Sequence, residues 1–124
     1  MNEETLILLI VFQIKHLIAD YYLQFPYMYM NKGAKHNWIR PLFDHAMVHS
    51  MMTLIIVGTY LHNDIMLPMV LLVTAFDFIT HFITDRWKAT RGRKPDESKF
   101  WTDLGIDQMI HHIVGILIVF WIIT

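Results

Sequence analysis

Four long apolar runs, each interrupted by a few polar residues, make up most of the chain. A helix needs about 20 predominantly apolar residues to cross a lipid bilayer, and each of these runs is long enough. Lys and Glu are sparse on the runs, although a soluble four-helix bundle would carry them on its water-facing sides. We therefore expect an all-α polytopic membrane protein. Its four predicted transmembrane helices cover residues 5–25, 39–61, 65–84 and 101–123.

The basic residues are concentrated in two of the three connections between these runs. Of the 10 Lys and Arg residues, all but Lys15 lie in or beside the first and third connections. The positive-inside rule places such connections in the cytoplasm, so we expect both termini on the non-cytoplasmic side. The residues concerned are Lys32, Lys35, Arg40, Arg86, Lys88, Arg91, Arg93, Lys94 and Lys99.

The two halves of the chain share a pattern of polar residues. Residues 16–20 (HLIAD) match 81–85 (HFITD) in the first and third runs, and 45–49 (HAMVH) match 107–111 (DQMIH) in the second and fourth. Each half is therefore predicted to be a helical hairpin, and both hairpins enter the membrane in the same orientation. Such an arrangement is typical of parallel repeats related by a pseudo-twofold axis along the membrane normal.

The chain has the length of one domain at 124 residues. We expect a single four-helix transmembrane domain over 1–124, with hairpin repeats that cover about 5–61 and 65–123. The oligomeric state is left open, and a homo-oligomer is compatible with the sequence. A formal net charge of −1 gives no reason to expect a nucleic-acid partner.

The ionisable residues inside the runs lie at one depth. They come late in the first and third helices and early in the second and fourth, so antiparallel hairpins place them all in the cytoplasmic half of the bilayer. Residues four apart lie on one face of a helix, and ionisable groups avoid lipid and face the bundle interior. The predicted polar stripes are His16 and Asp20, His45 and His49, Asp77, His81 and Asp85, and Asp107 and His111.

Four aspartates in a membrane need neutralisation. Each costs roughly 2.5–3.5 kcal/mol at the helix centre, and Lys15 is the only permanent cation expected nearby in the spans. Protons, protonated histidines or metal ions could neutralise them. Imidazole nitrogen and carboxylate oxygen form a donor set for divalent transition metals, and the absence of cysteine excludes thiolate ligands. All nine residues of the stripes are therefore candidate metal ligands.

Helix geometry limits how the ions could be bound. Asp77 and Asp85 are about 12 Å apart along their helix, too far to ligate one ion together. We expect either two ions, or one ion with an outer carboxylate that orients a ligating histidine. Zinc, manganese and iron all fit, with zinc as the first choice. Gln24 and Gln108 are candidate hydrogen-bond partners of the ligands, whereas Asp103 is expected to be an interfacial residue without a special role.

The third connection, 86–99 (RWKATRGRKPDESK), is strongly basic. One interpretation is that it sets the topology and attracts anionic lipid headgroups, so membrane lipids are the expected partners. The other is that it forms a lid that brings a phosphate-bearing substrate to the metal layer.

Several spaced motifs together resemble a known family. They are His16-x3-Asp20-x3-Gln24, His45-x3-His49, Asp77-x3-His81-x3-Asp85 followed by Lys88, and Asp107-Gln108-x2-His111. The chain is similar over most of its length to small membrane proteins of bacteria and their phages that are grouped as domain of unknown function 3307. The resemblance implies a multi-pass protein of the bacterial inner membrane with this site, but it implies no activity.

A more remote resemblance concerns two short elements. The bacterial membrane-bound metal-dependent hydrolases carry a Thr-His-Ser element where this chain has Val48-His49-Ser50, and a His-x3-Asp element like His81 to Asp85. Their early Asp-x-Asp-His run has no equivalent here. This resemblance implies hydrolytic chemistry.

Four functions remain open at this point. A metal-dependent hydrolase at the cytoplasmic leaflet would use a non-ligating carboxylate, Asp77 or Asp20, as general base, acting on a lipid-like or phosphate-bearing substrate. Transport or relay of metal ions or protons is the alternative, although the outward helix halves contain few polar residues. A haem-binding electron carrier is the third, disfavoured because haem iron needs no carboxylates beside it. A structural or regulatory role is also compatible with the sequence.

Overall fold

The computed structural model describes residues 2–61 and 66–124, and all regular secondary structure in them is helical. Four helices in this part of the chain are long and apolar enough to span a membrane, which confirms the predicted all-α fold with four candidate transmembrane helices. The elements are α1 (Glu3–Leu17), a π-helical turn (Ile18–Tyr22), α2 (Pro26–Asn31), α3 (Ile39–Tyr60), α4 (Leu67–Thr90) and α5 (Ser98–Ile123).

Several helix boundaries differ from the prediction, and α1 and α5 begin at Glu3 and Ser98 rather than at residues 5 and 101. The first span ends in the π-helical turn at Tyr22 rather than at residue 25, and α2 follows with Pro26 at its first position, where the missing N–H of proline costs nothing. In addition, α4 continues to Thr90, beyond the predicted end at residue 84, because a helix need not stop where its apolar run stops. The predicted start of the third span, residue 65, lies outside the described residues.

The four long helices pack in a ring. α3 packs against α4, α4 against α5 and α5 against α1, and α1 also contacts α3. The short helix α2 packs against α3. Every long helix therefore has two long neighbours and turns one face toward the centre of the bundle.

The centre of the bundle is divided into an apolar half and a polar half. Buried aliphatic and aromatic side chains fill the half that contains the start of α1, the end of α3, the start of α4 and the end of α5. The polar layer occupies the other half, beside the first and third connections. The apolar cluster consists of Leu8, Phe12, Val57, Val70, Val73, Val114, Ile118, Val119 and Ile122.

The first connection is held against the end of α4. The Arg86 guanidinium donates to the main-chain oxygens of Lys32 (2.8 Å) and Ala34 (3.2 Å), and it lies 3.9 Å from the ring centroid of Trp38. Gly33 allows this contact, because a Cβ at that position would lie only 2.6 Å from the main-chain oxygen of Ala89.

Replacing Gly33 with alanine should separate the first connection from α4. The clash is with main chain, which cannot rotate away, so we expect a loss of about 1–3 kcal/mol in the free energy of unfolding, as for other overpacked sites. SDS-induced unfolding in mixed micelles measures it. Gly105→Ala is the matched control, since a Cβ there has no neighbour within 4 Å, and it should be neutral or slightly stabilising. Equal behaviour of the two variants would contradict the packing argument.

Candidate metal centre

The nine predicted site residues all lie in the polar half of the bundle. α1 and its π-helical turn carry the first two, α3 the next two, α4 three and α5 two. Asp20 is the most accessible aspartate of the layer, with 15% of its side chain exposed, and the other eight residues are buried. These eight are His16, His45, His49, Asp77, His81, Asp85, Asp107 and His111.

A first acidic group joins the π-helical turn to α3. His49 Nε2 lies 2.9 Å from Asp20 Oδ1, and His45 Nε2 lies 3.3 Å from the same oxygen. One ligand atom from each of the three residues can be chosen so that all lie within 4.8 Å of one another. Two imidazoles and a carboxylate are a ligand set that transition-metal ions use in proteins.

A second acidic group joins α4 to α5. His111 Nε2 lies 3.1 Å from Asp85 Oδ1 and 3.3 Å from Asp107 Oδ1. These three residues also offer one ligand atom each within 4.8 Å of the others. The group therefore has two carboxylates and one imidazole.

A third group consists of imidazoles alone. His16, His49 and His81, from α1, α3 and α4, offer nitrogen atoms within 4.8 Å of one another. The ring of His81 is stacked between two others, 3.8 Å from His49 and 4.0 Å from His111 between centroids. The stack connects the first acidic group to the second.

His45 links the two acidic groups directly. Its Nε2 lies 3.3 Å from Asp20 Oδ1 and 3.1 Å from Asp85 Oδ2. His49 is likewise shared by the first acidic group and the imidazole group. The histidines and three of the aspartates thus form one continuous layer across the bundle.

Several buried polar atoms in this layer lack a hydrogen-bond partner. An unsatisfied buried polar group costs about 1–3 kcal/mol, so a cluster of them calls for an explanation. Neutral imidazole has one nitrogen free to accept a bond or bind a metal, and the donor set of the layer therefore fits a divalent ion. The atoms are Nδ1 of His45, His49 and His111, Nε2 of His81 and Oδ1 of Asp107, which lies near His111 but outside hydrogen-bonding geometry.

Asp77 lies apart from these three groups. Its Oδ2 accepts hydrogen bonds from Lys15 Nζ (2.7 Å) and Thr53 Oγ1 (2.6 Å), and its Oδ1 lies 3.1 Å from His81 Nδ1. Asp77 thus orients His81 toward the layer while Lys15 compensates its charge. Thr53 had no sequence signal beyond its position one helical turn after His49.

Two further lysines reach the layer from outside the predicted spans, within which only Lys15 was expected as a nearby cation. Lys32 Nζ lies 2.8 Å from Asp85 Oδ2, and Lys88 Nζ lies 2.7 Å from Asp107 Oδ2. Both residues lie outside the predicted apolar runs, and a long lysine stem can carry its ammonium group several ångströms from the backbone. Three of the four aspartates therefore have a lysine partner.

Asp20 is instead surrounded by histidines and an amide. Gln108 donates from Nε2 to Asp20 Oδ2 (3.2 Å), and its Oε1 lies 2.8 Å from His16 Nε2. Gln24 Nε2 lies 3.2 Å from His45 Nε2. Both glutamines contact candidate ligands, as their positions in the sequence predicted.

A cavity of about 610 Å³ opens next to the layer, between the first and third connections. Gln24, Lys32 and Lys88 form part of its wall, and each of them also contacts a residue of the layer. A larger cavity of about 1080 Å³ lies beside α2 and the start of α3. None of the nine residues lines either cavity. The smaller cavity adjoins the candidate metal centre through Gln24, Lys32 and Lys88.

Comparison with known proteins places the chain in a family. The family model described as "Protein of unknown function (DUF3307)" matches residues 8–124, and the chain belongs to this family. Searches of curated proteins and of solved structures gave no match.

Proposed function

We propose that this protein is a metal-dependent hydrolase of the bacterial inner membrane that acts at the cytoplasmic leaflet on a lipid-like or phosphate-bearing substrate. The main observation behind the proposal is that His45 contacts both Asp20 and Asp85. These contacts join the two acidic groups beside a cavity that opens at the end of the bundle. Adjoining carboxylate and imidazole groups of this kind are found in two-metal hydrolytic sites. The remote resemblance of residues 48–50 and 81–85 to membrane-bound hydrolases points to the same chemistry and stays a prediction.

Correspondence between the two halves supports two ion sites. The repeat pairs Asp20 with Asp85, His49 with His111, and His45 with Asp107, and these are the members of the two acidic groups. The pairing continues one helical turn deeper. There Asp77 accepts a hydrogen bond from Thr53, while at the corresponding positions the Phe12 ring packs 3.4 Å from where a Cβ on Gly115 would lie.

The membrane orientation that we propose rests on the position of the basic connections. The layer, the cavity and the basic first and third connections lie together, and positive connections face the cytoplasm. With both termini outside, the cavity opens at the cytoplasmic headgroup region.

The residues of the layer have different proposed roles: some bind the metal, one acts as general base, and one positions that base. A divalent ion held by the acidic groups would lower the pKa of a bound water and polarise a phosphoryl or carbonyl oxygen. Asp20 is the better candidate for the general base in a site where it does not itself bind the ion, because it has the most exposed carboxylate of the four and no lysine partner. Asp77 is the weaker candidate, since Lys15, Thr53 and His81 occupy both of its oxygens. Gln108 would hold Asp20 in place.

Transport of metal ions or protons is less well supported. A path across the membrane would need polar groups beyond Asp77, whereas the described residues there form the apolar cluster that includes Phe12, Val73 and Ile118. A haem carrier is also disfavoured, because Asp20, Asp85 and Asp107 lie within hydrogen-bonding distance of the histidines that would bind its iron.

Elemental analysis of the detergent-purified protein tests the proposal. We expect about one or two equivalents of zinc, manganese or iron per chain, and a loss of nearly all of it in the double variant His49→Ala, His111→Ala. Together these two histidines belong to all three groups. His36→Ala is the control, because His36 is exposed in the first connection, and it should retain the metal.

Hydrolysis provides the second part of the test. The metal-loaded protein should cleave phosphate or carboxylate esters, and a chelator or the double variant should abolish this activity. The double variant His49→Asn, His111→Asn keeps two polar side chains, and it provides the same test in case the alanine variant misfolds. If neither wild type nor control holds metal after reloading, the proposal is wrong. Proton flux into proteoliposomes would then favour the transport alternative.

A further inference from the structure

The cavity beside the candidate metal centre has a strongly basic wall. Four cationic side chains line it, together with one acidic side chain, Asp103. Apolar and aromatic residues, Tyr29, Met30 and Phe100, lie at the same cavity. The four cationic residues are Lys32, Lys88, Arg91 and Arg93.

The cations are arranged in two pairs at different depths. Lys32 and Lys88 reach into the layer and contact Asp85 and Asp107. Arg91 and Arg93 lie nearer the connection, where their Nε atoms are 3.4 Å and 2.7 Å from Asp103 Oδ2. A guanidinium group has four N–H donors besides Nε–H. The arginines can therefore keep Asp103 and still bind a second anion.

The charged side chains at the cavity have a net positive charge that an anion could neutralise. Four cations face three carboxylates, so one positive charge is in excess. If a divalent ion neutralises the carboxylates of the second acidic group, the two lysines no longer have to do so. Their ammonium groups would then be free to turn toward the cavity, which raises its positive charge further.

We infer that this cavity binds the phosphate group of the substrate, with Arg91 and Arg93 as its outer contacts and Lys32 and Lys88 as its inner contacts. The inference deepens the proposed function, on which it rests, by naming a phosphate ester as the substrate class. Arginine and lysine are the side chains that recognise phosphate most often, arginine through paired N–H donors. The basic residues of the third connection thus act as a binding wall beside the metal layer, in addition to setting topology.

The arrangement predicts coupling between metal and phosphate. Because Lys32 and Lys88 are shared between the carboxylates and the cavity, a metal ion at the carboxylates should tighten phosphate binding, and phosphate should tighten metal binding by the same factor. A site that used the arginines alone would show no such coupling.

Titration of the detergent-purified full chain with inorganic phosphate, followed by calorimetry, tests the inference. Measurements with chelator and with zinc separate the cavity from the metal centre. Arg93→Gln should weaken phosphate binding about tenfold or more, since it removes a charged donor. Asp103→Asn should strengthen it about threefold or more, because the competing carboxylate of the cavity is gone. Lys94→Gln removes the same charge from the same connection, outside the cavity wall, and should leave binding within about twofold.

The opposite signs expected for Arg93→Gln and Asp103→Asn distinguish recognition from structural support. If Asp103 only anchors the connection, Asp103→Asn will weaken binding as Arg93→Gln does, and the inference is overturned. Equal weakening by Arg93→Gln and Lys94→Gln would also overturn it, because it would indicate attraction by net charge alone. If the protein binds phosphate but holds no metal, this inference stands and the proposed function fails. If it holds metal and hydrolyses esters but does not bind phosphate, the proposed function stands and this inference fails.

Phosphatidic acid is the probe that distinguishes a lipid phosphate from a soluble phosphate ester. In phosphatidylcholine nanodiscs that contain phosphatidic acid, native mass spectrometry should detect bound phosphatidic acid on the wild type and not on Arg93→Gln if the group belongs to a lipid. Inorganic phosphate binding that phosphatidic acid does not reduce would indicate a soluble phosphate ester. Binding of neither probe, with or without zinc, would overturn the inference.

Discussion

Replacing Lys15 with methionine is expected to lower the free energy of unfolding by about 3–5 kcal/mol, the cost of breaking one side of a buried ion pair. Lys15 Nζ lies 2.7 Å from Asp77 Oδ2, and both side chains are almost completely buried. Without the ammonium group, Asp77 keeps only Thr53 and His81 as partners and remains a buried charge. SDS-induced unfolding in mixed micelles measures the loss.

A second substitution should reverse most of this effect. In the double variant Lys15→Met, Asp77→Leu no charge is left uncompensated, and replacing a buried pair by apolar side chains is often neutral. His81 Nδ1 keeps a partner in the main-chain oxygen of residue 77, at 3.1 Å. Lys99→Met, at an exposed position of α5, should change stability by no more than about 0.5 kcal/mol. If Lys15→Met behaves like Lys99→Met, the ion pair does not contribute as described.

The long helices and the depth of the polar layer could be predicted from the sequence. Both follow from local pattern, since the length of an apolar run and the position of a polar residue within it need no knowledge of neighbouring helices. The meeting of His49 with Asp20, and of His111 with Asp85, follows from the same reasoning, because each pair lies at matching depth on antiparallel helices. Both contacts are expected because ionisable groups avoid lipid and face the bundle interior.

The lysine partners of the layer could not be predicted in this way. Lys32 and Lys88 lie outside the apolar runs, and a window that scores hydropathy assigns them to the surface. The ammonium group of Lys32 reaches Asp85 because the first connection folds over the end of α4. That of Lys88 reaches Asp107 because α4 continues to Thr90 and packs against α5. Both contacts depend on tertiary packing and on the direction of a flexible side chain, neither of which has a local sequence signal.

The π-helical turn and α2 were missed for a related reason. A π turn depends on a local shift of main-chain hydrogen bonds to i+5 partners, among them here the bond from the N–H of Leu23 to the carbonyl of Ile18. Yet this turn carries Asp20, which contacts His45 and His49. π turns occur frequently at functional sites, and the position of this one agrees with a functional role for Asp20.

Removing the ammonium group of Lys32 should make the stability of the protein depend on metal. In the metal-free protein, Lys32→Met leaves Asp85 without its lysine, and we expect a loss of about 3–5 kcal/mol in the free energy of unfolding. Asp85 also belongs to the second acidic group. A bound divalent ion would replace the missing positive charge, so saturating zinc should recover most of the loss, since a ligand that binds only the folded state stabilises it.

Comparison with an exposed lysine of the same connection isolates this effect. Lys35→Met removes an equal charge from an exposed side chain and should differ little from wild type, with chelator or with zinc. The informative quantity is the extra stabilisation by zinc in Lys32→Met relative to wild type, measured by SDS-induced unfolding. A loss of the same size with and without zinc would mean that the ion does not bind Asp85, and that lysine alone neutralises this carboxylate. A loss confined to the chelated protein would mean that lysine and metal are alternative counter-charges of one site, which is the condition for Lys32 to be released toward a phosphate group.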